Sequence, residues 1–303
     1  MSTSETSNAP AFESTAVERV PIEWERSDQE NASLVKRLRK KFRWVRSNAV
    51  QARYRLKLRY QYYLGSNQPE RPVFILSEGR SGSNLIVDYF RSVPEVSCTE
   101  EVLNARDVIG LRNYMTTKSI ALRHIKYSLA MPGRVSVVKL ASHHMKWHGI
   151  TSDDLCEYFP ESRMIILYRR DLLKQYVSWR KLYLTGSERH REGRAEHNQA
   201  IHVDPEQFRE FCLRVSEQYS TFSQCQALRE RSCVVAYEEL ADDPQGVFEE
   251  RIFPLLGIPA TPIATSMKKQ SKGSLEEQIS NFEELQPLLA DPITQHHFEW
   301  GHE

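Results

Sequence analysis

A chain of 303 residues with 40% apolar content can hold one large domain or two small ones around a substantial core. A formal charge of +1 gives no reason to expect a nucleic-acid partner, and five cysteines without CxxC spacing fit neither a disulfide framework nor a zinc ribbon. With no run of about 18 apolar residues and a polar, acid-rich N-terminus, neither a membrane span nor a signal peptide is expected, and the reading is a soluble enzyme of the reducing cytoplasm.

The charge is unevenly spread. Residues 1–30, with Ser, Thr, Asn and Glu prominent, carry seven acids against Arg19 and Arg26 and read as a flexible segment. Residues 31–60 carry eleven Lys/Arg and no acid, while Leu34, Leu38, Phe42, Val45, Ala49, Ala52 and Leu56 recur at helical spacing. Residues 31–68 therefore read as a basic amphipathic helical extension ahead of a catalytic domain at 69–303. Such a helix suits either peripheral contact with the inner membrane face or packing across the mildly acidic remainder, and both readings stand.

From there strands and helices alternate: strand 73–77, helix 83–91, a short strand near 96–99, and helices between about 107 and 130. Next come strand 134–140, helix 152–159, strand 163–168, helix 171–184, a long helix 205–230, strand 232–236 and helix 244–256. Apolar strands alternating with helices predict an α/β fold with a parallel sheet covered on both faces and ligands at the strands' carboxyl ends. Residues 185–204, with His190, Arg191, Arg194 and His197, read as a loop, either an acceptor lid or ordinary surface.

Two segments carry anion chemistry. In the first, the apolar strand Phe74-Ile75-Leu76 runs into Ser77-Glu78-Gly79-Arg80-Ser81-Gly82-Ser83-Asn84 and then an apolar helix. Such a turn aims backbone N–H groups and a helix N-terminus at one point, which suits a phosphate or sulfate, and the GxxxxGK[ST] lysine of ATP-binding loops is missing. In the second, the strand ending at Tyr168-Arg169-Arg170-Asp171 is followed by Gln175, Ser178 and Trp179. Arg170 and Ser178 are spaced to share one phosphate, the alternative being a strand-end arginine paired with Asp171.

Together these motifs resemble the sulfotransferases that use 3′-phosphoadenosine 5′-phosphosulfate (PAPS), over about residues 72–290. The RSGS wording is similar to the carbohydrate and bacterial glycolipid branch, the trehalose-type and nodulation-factor enzymes. The resemblance implies the P-loop-like sulfotransferase fold, with Gly79, Arg80, Ser81, Gly82, Ser83 and Asn84 on the 5′-phosphosulfate, and Arg170 and Ser178 on the 3′-phosphate. The segment Val234 to Leu240, with Asp243-Pro244 and Phe253 to Ile258, looks like the family's late strand and helix. The tail from Lys268 through Lys269, Lys272 and Gly273 to Leu285 looks like its nucleotide-closing segment, with the alternative that its lysines are solvated surface.

In-line sulfuryl transfer needs charge stabilisation on the bridging oxygen, for which Arg80 is placed, and a base for the acceptor hydroxyl. By the resemblance Glu101 matches the proposed base of the glycan branch; read alone it is also an acid favouring the start of a following helix. His143 and His144 are next in line, and Lys139 resembles a position facing the active site. His143, His144 and His148 lack a completing carboxylate, so no metal is expected, and His296, His297 and His302 read as an exposed tail. Trp147, Tyr176, Trp179 and Tyr183 suit either sugar stacking or the core.

The expected function is thus sulfate transfer from PAPS to a saccharide or glycolipid hydroxyl, leaving the 3′,5′-bisphosphate (PAP). Two alternatives are a P-loop-type kinase of a small metabolite, disfavoured by Arg80 in place of Gly-Lys-Ser/Thr, and a membrane-peripheral binding protein with a degenerate nucleotide fold.

Overall fold

The computed structural model describes residues 71–104, 111, 117–130, 133–185, 200–267 and 273–300, with positions 52, 53, 56, 60 and 63, all within the compact unit Val50–Glu303. The expected segment 1–30, most of the basic extension 31–68, residues 186–199 of the expected loop, and Lys268, Lys269 and Lys272 lie outside the described residues.

The α/β expectation holds. Strands β1 (Arg71–Ser77), β2 (Val96–Glu101), β3 (Val135–Ala141), β4 (Arg163–Tyr168) and β5 (Ser232–Ala236) form one parallel sheet in the order β2-β3-β1-β4-β5. Period-2 alternation divides each inner strand between two cores. Val73, Ile75, Val135, Val137, Ile165 and Leu167 face α1 (Ser83–Arg91) through Ile86, Val87 and Phe90. Phe74, Leu76, Val138, Leu140, Met164 and Ile166 face the opposite layer. That layer comprises α2 (Lys118–Ser128), α3 (Ser142–Trp147), α4 (Ser152–Tyr158), α5 (Leu172–Thr185) and α6 (Pro205–Ser223). Phe74 is fully buried edge-on against Phe159 with ring centroids 5.0 Å apart, a side chain whose burial contributes about 2 kcal/mol.

Helix starts follow local chemistry. Thr151 and Asp154 form a reciprocal capping box at α4, and the Asp204 carboxylate accepts from the Gln207 amide just ahead of Pro205 at the start of α6. The expected helix 205–230 is broken: α6 stops at Ser223, and extended Cys225 re-aims the chain into α7 (Gln226–Arg229). The physical reason is that Cys225 and Leu228 turn inward to full or nearly full burial before the chain feeds β5.

Two short helices escaped the sequence reading, α3 directly after β3 and α8 (Tyr237–Asp242) directly after β5. The expected helix 244–256 is Pro244–Val247, a π segment Phe248–Ile252 and Phe253–Leu256, whose widened turn keeps Phe248, Ile252 and Phe253 all buried. His296 is no exposed tail: it is buried with its ring 4.8 Å from that of Tyr219 and 5.4 Å from that of Tyr168, and burial pushes its pKa down to about 4. No helix among the described residues is long and apolar enough to cross a membrane.

Candidate active site

The chain leaves β1 through α1 on one face toward β2, and leaves β4 through α5 and α6 on the other face toward β5. Neighbouring strands whose connections depart in opposite directions open a crevice at their carboxyl ends, the usual ligand position of such sheets. The two anion-binding segments of the sequence follow these two strands, which pair directly with Ser77 beside Leu167.

The turn after β1 is tightly built. Gly82 caps α1 with φ 91°, and Arg80, at φ 67°, is the one non-glycine residue with positive φ among the described residues. The α1 amides at Ser83 and Asn84 open the helix, where no earlier turn supplies intrahelical acceptors, so they are the groups an anion would meet. Buried Ser81 donates its hydroxyl to the Glu78 carbonyl (2.8 Å) and shapes the turn from inside.

Helix α5 meets this turn with a polar stripe at i and i+3. Gln175 Nε2 donates to the Gly79 carbonyl (2.8 Å), and Arg80 Nε donates to Ser178 Oγ (2.9 Å). One turn further along, Lys181 donates to Gln278 (2.8 Å), whose amide donates to the Gly273 carbonyl (3.1 Å). Gly273 therefore joins α5 beyond Ser178 and not the turn itself. The structure joins Ser178 to Arg80; Arg170 takes a different partner.

Arg170 pairs with Glu239, which also holds Arg251 Nη2 at 2.6 Å, so two guanidiniums share one carboxylate and a net positive charge remains. Burial raises the Glu239 pKa, but hydrogen bonding and charge from Arg251, with Arg170 adding to it, bring it below its ordinary value. Glu238 fastens the loop after β4, accepting from the amides of Arg170 (3.0 Å) and Asp171 (3.3 Å).

Three supports were not singled out from the sequence. Arg169, nearly buried, stacks over the Tyr237 ring at 4.6 Å and donates to the Arg80 carbonyl at 3.5 Å. The Tyr219 hydroxyl donates to the Leu167 carbonyl (2.7 Å) and accepts the Glu78 amide (3.1 Å), tying β4 to the turn. Glu78 itself accepts from Ser142 Oγ and from the Gly79 amide (2.9 Å), and lies 3.5 Å from His143 Nδ1. Burial would raise its pKa, yet His143, the Ser142 hydroxyl and the Gly79 amide outweigh it and hold the carboxyl below its ordinary value. Only the acid next to the turn could have signalled Glu78, and Arg169 showed only as a strand-end arginine; Tyr219 had no local signal.

Glu101 ends β2 across an irregularity. The β2–β3 register runs Thr99 beside Val138 and then Glu101 beside Lys139, so Glu100 is the extra residue of a bulge. The bulge leaves Glu100 to Arg91 (2.6 Å) and aims Glu101 Oε1 at Lys139 Nζ (2.8 Å), while Asn104 Nδ2 donates to Oε2 (2.7 Å). Lys139, 4% exposed, also donates to Asn84 Oδ1 (2.7 Å), so this expected nucleotide ligand is anchored from below.

Burial raises the Glu101 pKa, but Lys139 above all, with His144 and Asn104, brings it down to about 2 from an ordinary 4.5. His144 is buried 3.9 Å from Glu101; burial, then the neighbouring His143, pushes it down to about 4. His143 is part-exposed, and Trp147, 65% exposed, lies 5.3 Å from its ring and 5.1 Å from that of His144. Of the other aromatics Tyr176 is core, whereas Tyr183 is exposed. Among the described residues no three His, Cys, Asp or Glu groups are arranged to hold a metal ion.

The lowered Glu101 pKa makes a stability prediction. A carboxyl depressed in the folded state stabilises above its unfolded pKa, and that contribution is lost as pH falls from about 4.5 toward about 2. Lys139→Met should cost about 3 kcal/mol at pH 7 by stranding Glu101 and should flatten the acid loss. Urea unfolding at pH 7 and pH 3 checks this; equal acid losses in both proteins would contradict it.

No protein-family model and no curated protein matches this sequence. Solved structures similar to it include three sulfotransferases or sulfotransferase domains. A sulfotransferase from Alicyclobacillus acidocaldarius is 14% identical with a TM-score of 0.47, over 74% of this chain and 92% of that one. Mouse sulfotransferase SULT7A1 complexed with PAP is 12% identical with a TM-score of 0.40, over 68% and 64% respectively. The sulfotransferase domain of the Synechococcus PCC 7002 olefin synthase is 17% identical with a TM-score of 0.39, over 75% and 88%. Identities and scores this low assign neither an activity nor a residue to the present chain.

Proposed function

We propose that this chain transfers the sulfuryl group of PAPS to a hydroxyl of a carbohydrate or glycolipid by in-line displacement. The observation that carries the reading is the 2.9 Å contact of Arg80 Nε with Ser178 Oγ, which joins two anion-binding signals 98 residues apart at one crevice. On this reading the turn Gly79 to Asn84 takes the 5′-phosphosulfate through Arg80 and the amides that open α1, and Arg170 and Ser178 take the 3′-phosphate. Gly273, with Lys269 and Lys272, belongs to the segment closing over the nucleotide. The base is one of Glu101, His143 and His144, and Lys139 holds Glu101 and Asn84 in place.

The test is transfer of ³⁵S from labelled PAPS into trehalose, N-acetylglucosamine oligomers, glycolipids and phenols, with calorimetric titration of PAP. Transfer to sugars with PAP binding is expected; neither transfer nor binding would reject the reading. For the 3′-phosphate, Arg170→Ala should weaken PAP binding about ten- to a hundredfold, the value of a charge-assisted hydrogen bond, and Ser178→Ala about tenfold. Arg170→Ala should leave the affinity for adenosine 5′-phosphosulfate, which lacks that phosphate, unchanged, while Ser178→Ala, which also releases Arg80, should weaken it less than it weakens PAP. Equal losses for the two nucleotides would move the 3′-phosphate elsewhere.

A further inference from the structure

A base for the acceptor hydroxyl must lie beside the anion turn, be reachable by an acceptor and retain an unused lone pair. Glu101 meets these demands poorly. One oxygen is engaged by Lys139 and the other by Asn104, and a carboxylate so stabilised has little affinity for a proton. His144 is buried beneath its neighbours.

His143 differs on each count. A methyl group built on Gly79 would stand 3.9 Å from His143 Cε1, so the imidazole lies against the turn. The side chain is 38% exposed, and its Nδ1 lies 3.5 Å from Glu78 Oε2. Glu78 is held by Ser142 Oγ on Oε1 and by the Gly79 amide on Oε2, the oxygen that faces His143, which leaves its carboxylate little freedom. An Nδ1–H shared with Glu78 fixes the ring and its tautomer and leaves the Nε2 lone pair for an incoming hydroxyl, the logic by which a carboxylate orients a catalytic histidine. Trp147 supplies an exposed apolar ring beside it, a surface suited to a sugar face.

We propose that His143 takes the acceptor's proton and that Glu78 is its positioning residue, with Glu101 serving as the anchor of Lys139; this rests on the sulfuryl-transfer reading. The acceptor hydroxyl gives its proton to His143 Nε2 while an oxygen electron pair forms the new O–S bond. The S–O bond to the donor's 5′-phosphate breaks, and its electron pair stays on the phosphate oxygen. The sulfate ester and PAP leave, and the imidazolium returns its proton to solvent. The ionisable groups facing His143 are Glu78 and His144, with Lys139 and Glu101 behind His144.

The test uses the full chain, ³⁵S-labelled PAPS and whichever of trehalose, N-acetylglucosamine oligomers or glycolipid the wild type labels best. His143→Ala should lose kcat by about a hundred- to a thousandfold with unchanged PAP affinity, and added imidazole should restore part of the rate. Glu78→Gln should lower kcat about tenfold or more with KM for PAPS unchanged. Glu78→Asp, which restores a carboxylate beside Nδ1, should regain part of that rate, whereas a merely structural loss would raise KM for PAPS as well. If Glu78→Gln does not fold, Glu78→Asp and the imidazole rescue carry the same distinction.

His143→Ala within threefold of wild-type kcat, or Glu101→Gln losing a hundredfold where His143→Ala does not, would overturn the assignment while leaving sulfuryl transfer intact. A wild type that neither transfers sulfate nor binds PAP would overturn the transfer reading, and with it this assignment.

Discussion

Arg80→Gly is expected to reduce sulfuryl transfer about a hundred- to a thousandfold while leaving fold stability within about 1 kcal/mol of wild type. The two parts follow from one geometry. Arg80 is held at φ 67° by the turn, a conformation in which a side chain beyond glycine costs about 1–2 kcal/mol. Removing the side chain relieves that strain and forfeits its hydrogen bond to Ser178, worth about 1 kcal/mol, so the stability terms nearly cancel. The turn thus carries strain that does not serve the fold, as expected where a guanidinium must be aimed at an anion. On the sulfuryl-transfer proposal the kinetic loss has no such compensation: there Arg80 meets the negative charge growing on the bridging oxygen, and a preorganised donor acts mainly in the transition state. Urea melts and single-turnover rates with labelled PAPS measure both halves. A variant within tenfold of wild-type turnover would place the charge-stabilising group elsewhere.

Gly82→Ala should be the most damaging glycine-to-alanine change among the described residues. The new Cβ would fall 2.2 Å from Tyr237 Cδ2, inside any possible contact, at a residue with φ 91°. Tyr237 cannot swing away freely, because the Arg169 guanidinium is stacked on its ring at 4.6 Å and also donates to the Arg80 carbonyl. Strain at positive φ and overpacking together amount to about 2–5 kcal/mol, a fall in Tm of about 5–15 °C. Displacing Tyr237 would also move Arg169 and with it the turn, so PAP affinity should fall even below the melting range. Thermal denaturation and calorimetry with PAP check the two effects. A Tm within 2 °C of wild type, roughly 0.5–1 kcal/mol, would show that α8 yields more easily than its contacts imply.

Much of the architecture was readable in advance because its causes are local. The strands are short apolar runs, α1 begins where small residues end a strand, and α4 and α6 begin at Thr151 and Asp204 with their capping partners three residues on. The two anion segments were legible for the same reason: each is a short contiguous run, Ser77 to Asn84 in one and Tyr168 to Trp179 in the other. Helices α3 and α8 were missed because each has only six residues and follows its strand without a break, so neither develops a helical period. The continuous reading of 205–230 failed because the pattern does not show where the chain must turn inward at Cys225.

The site divides along the same line. Composition and spacing settle that this chain builds a parallel α/β sheet and carries, after its first strand, a Gly/Arg/Ser turn without a P-loop lysine, since those are properties of contiguous residues. Which groups meet across the carboxyl edge depends on strand order and register: Arg80 with Ser178, Arg170 with Glu239, Tyr219 under Glu78, and a one-residue bulge aiming Glu101 at Lys139. Side-chain interactions at 3 Å are set by the packing of elements up to 141 residues apart, and no pattern along the chain encodes that distance. For the same reason Glu78, an unremarkable acid in the sequence, emerges beside His143 only once β1 and β3 lie side by side.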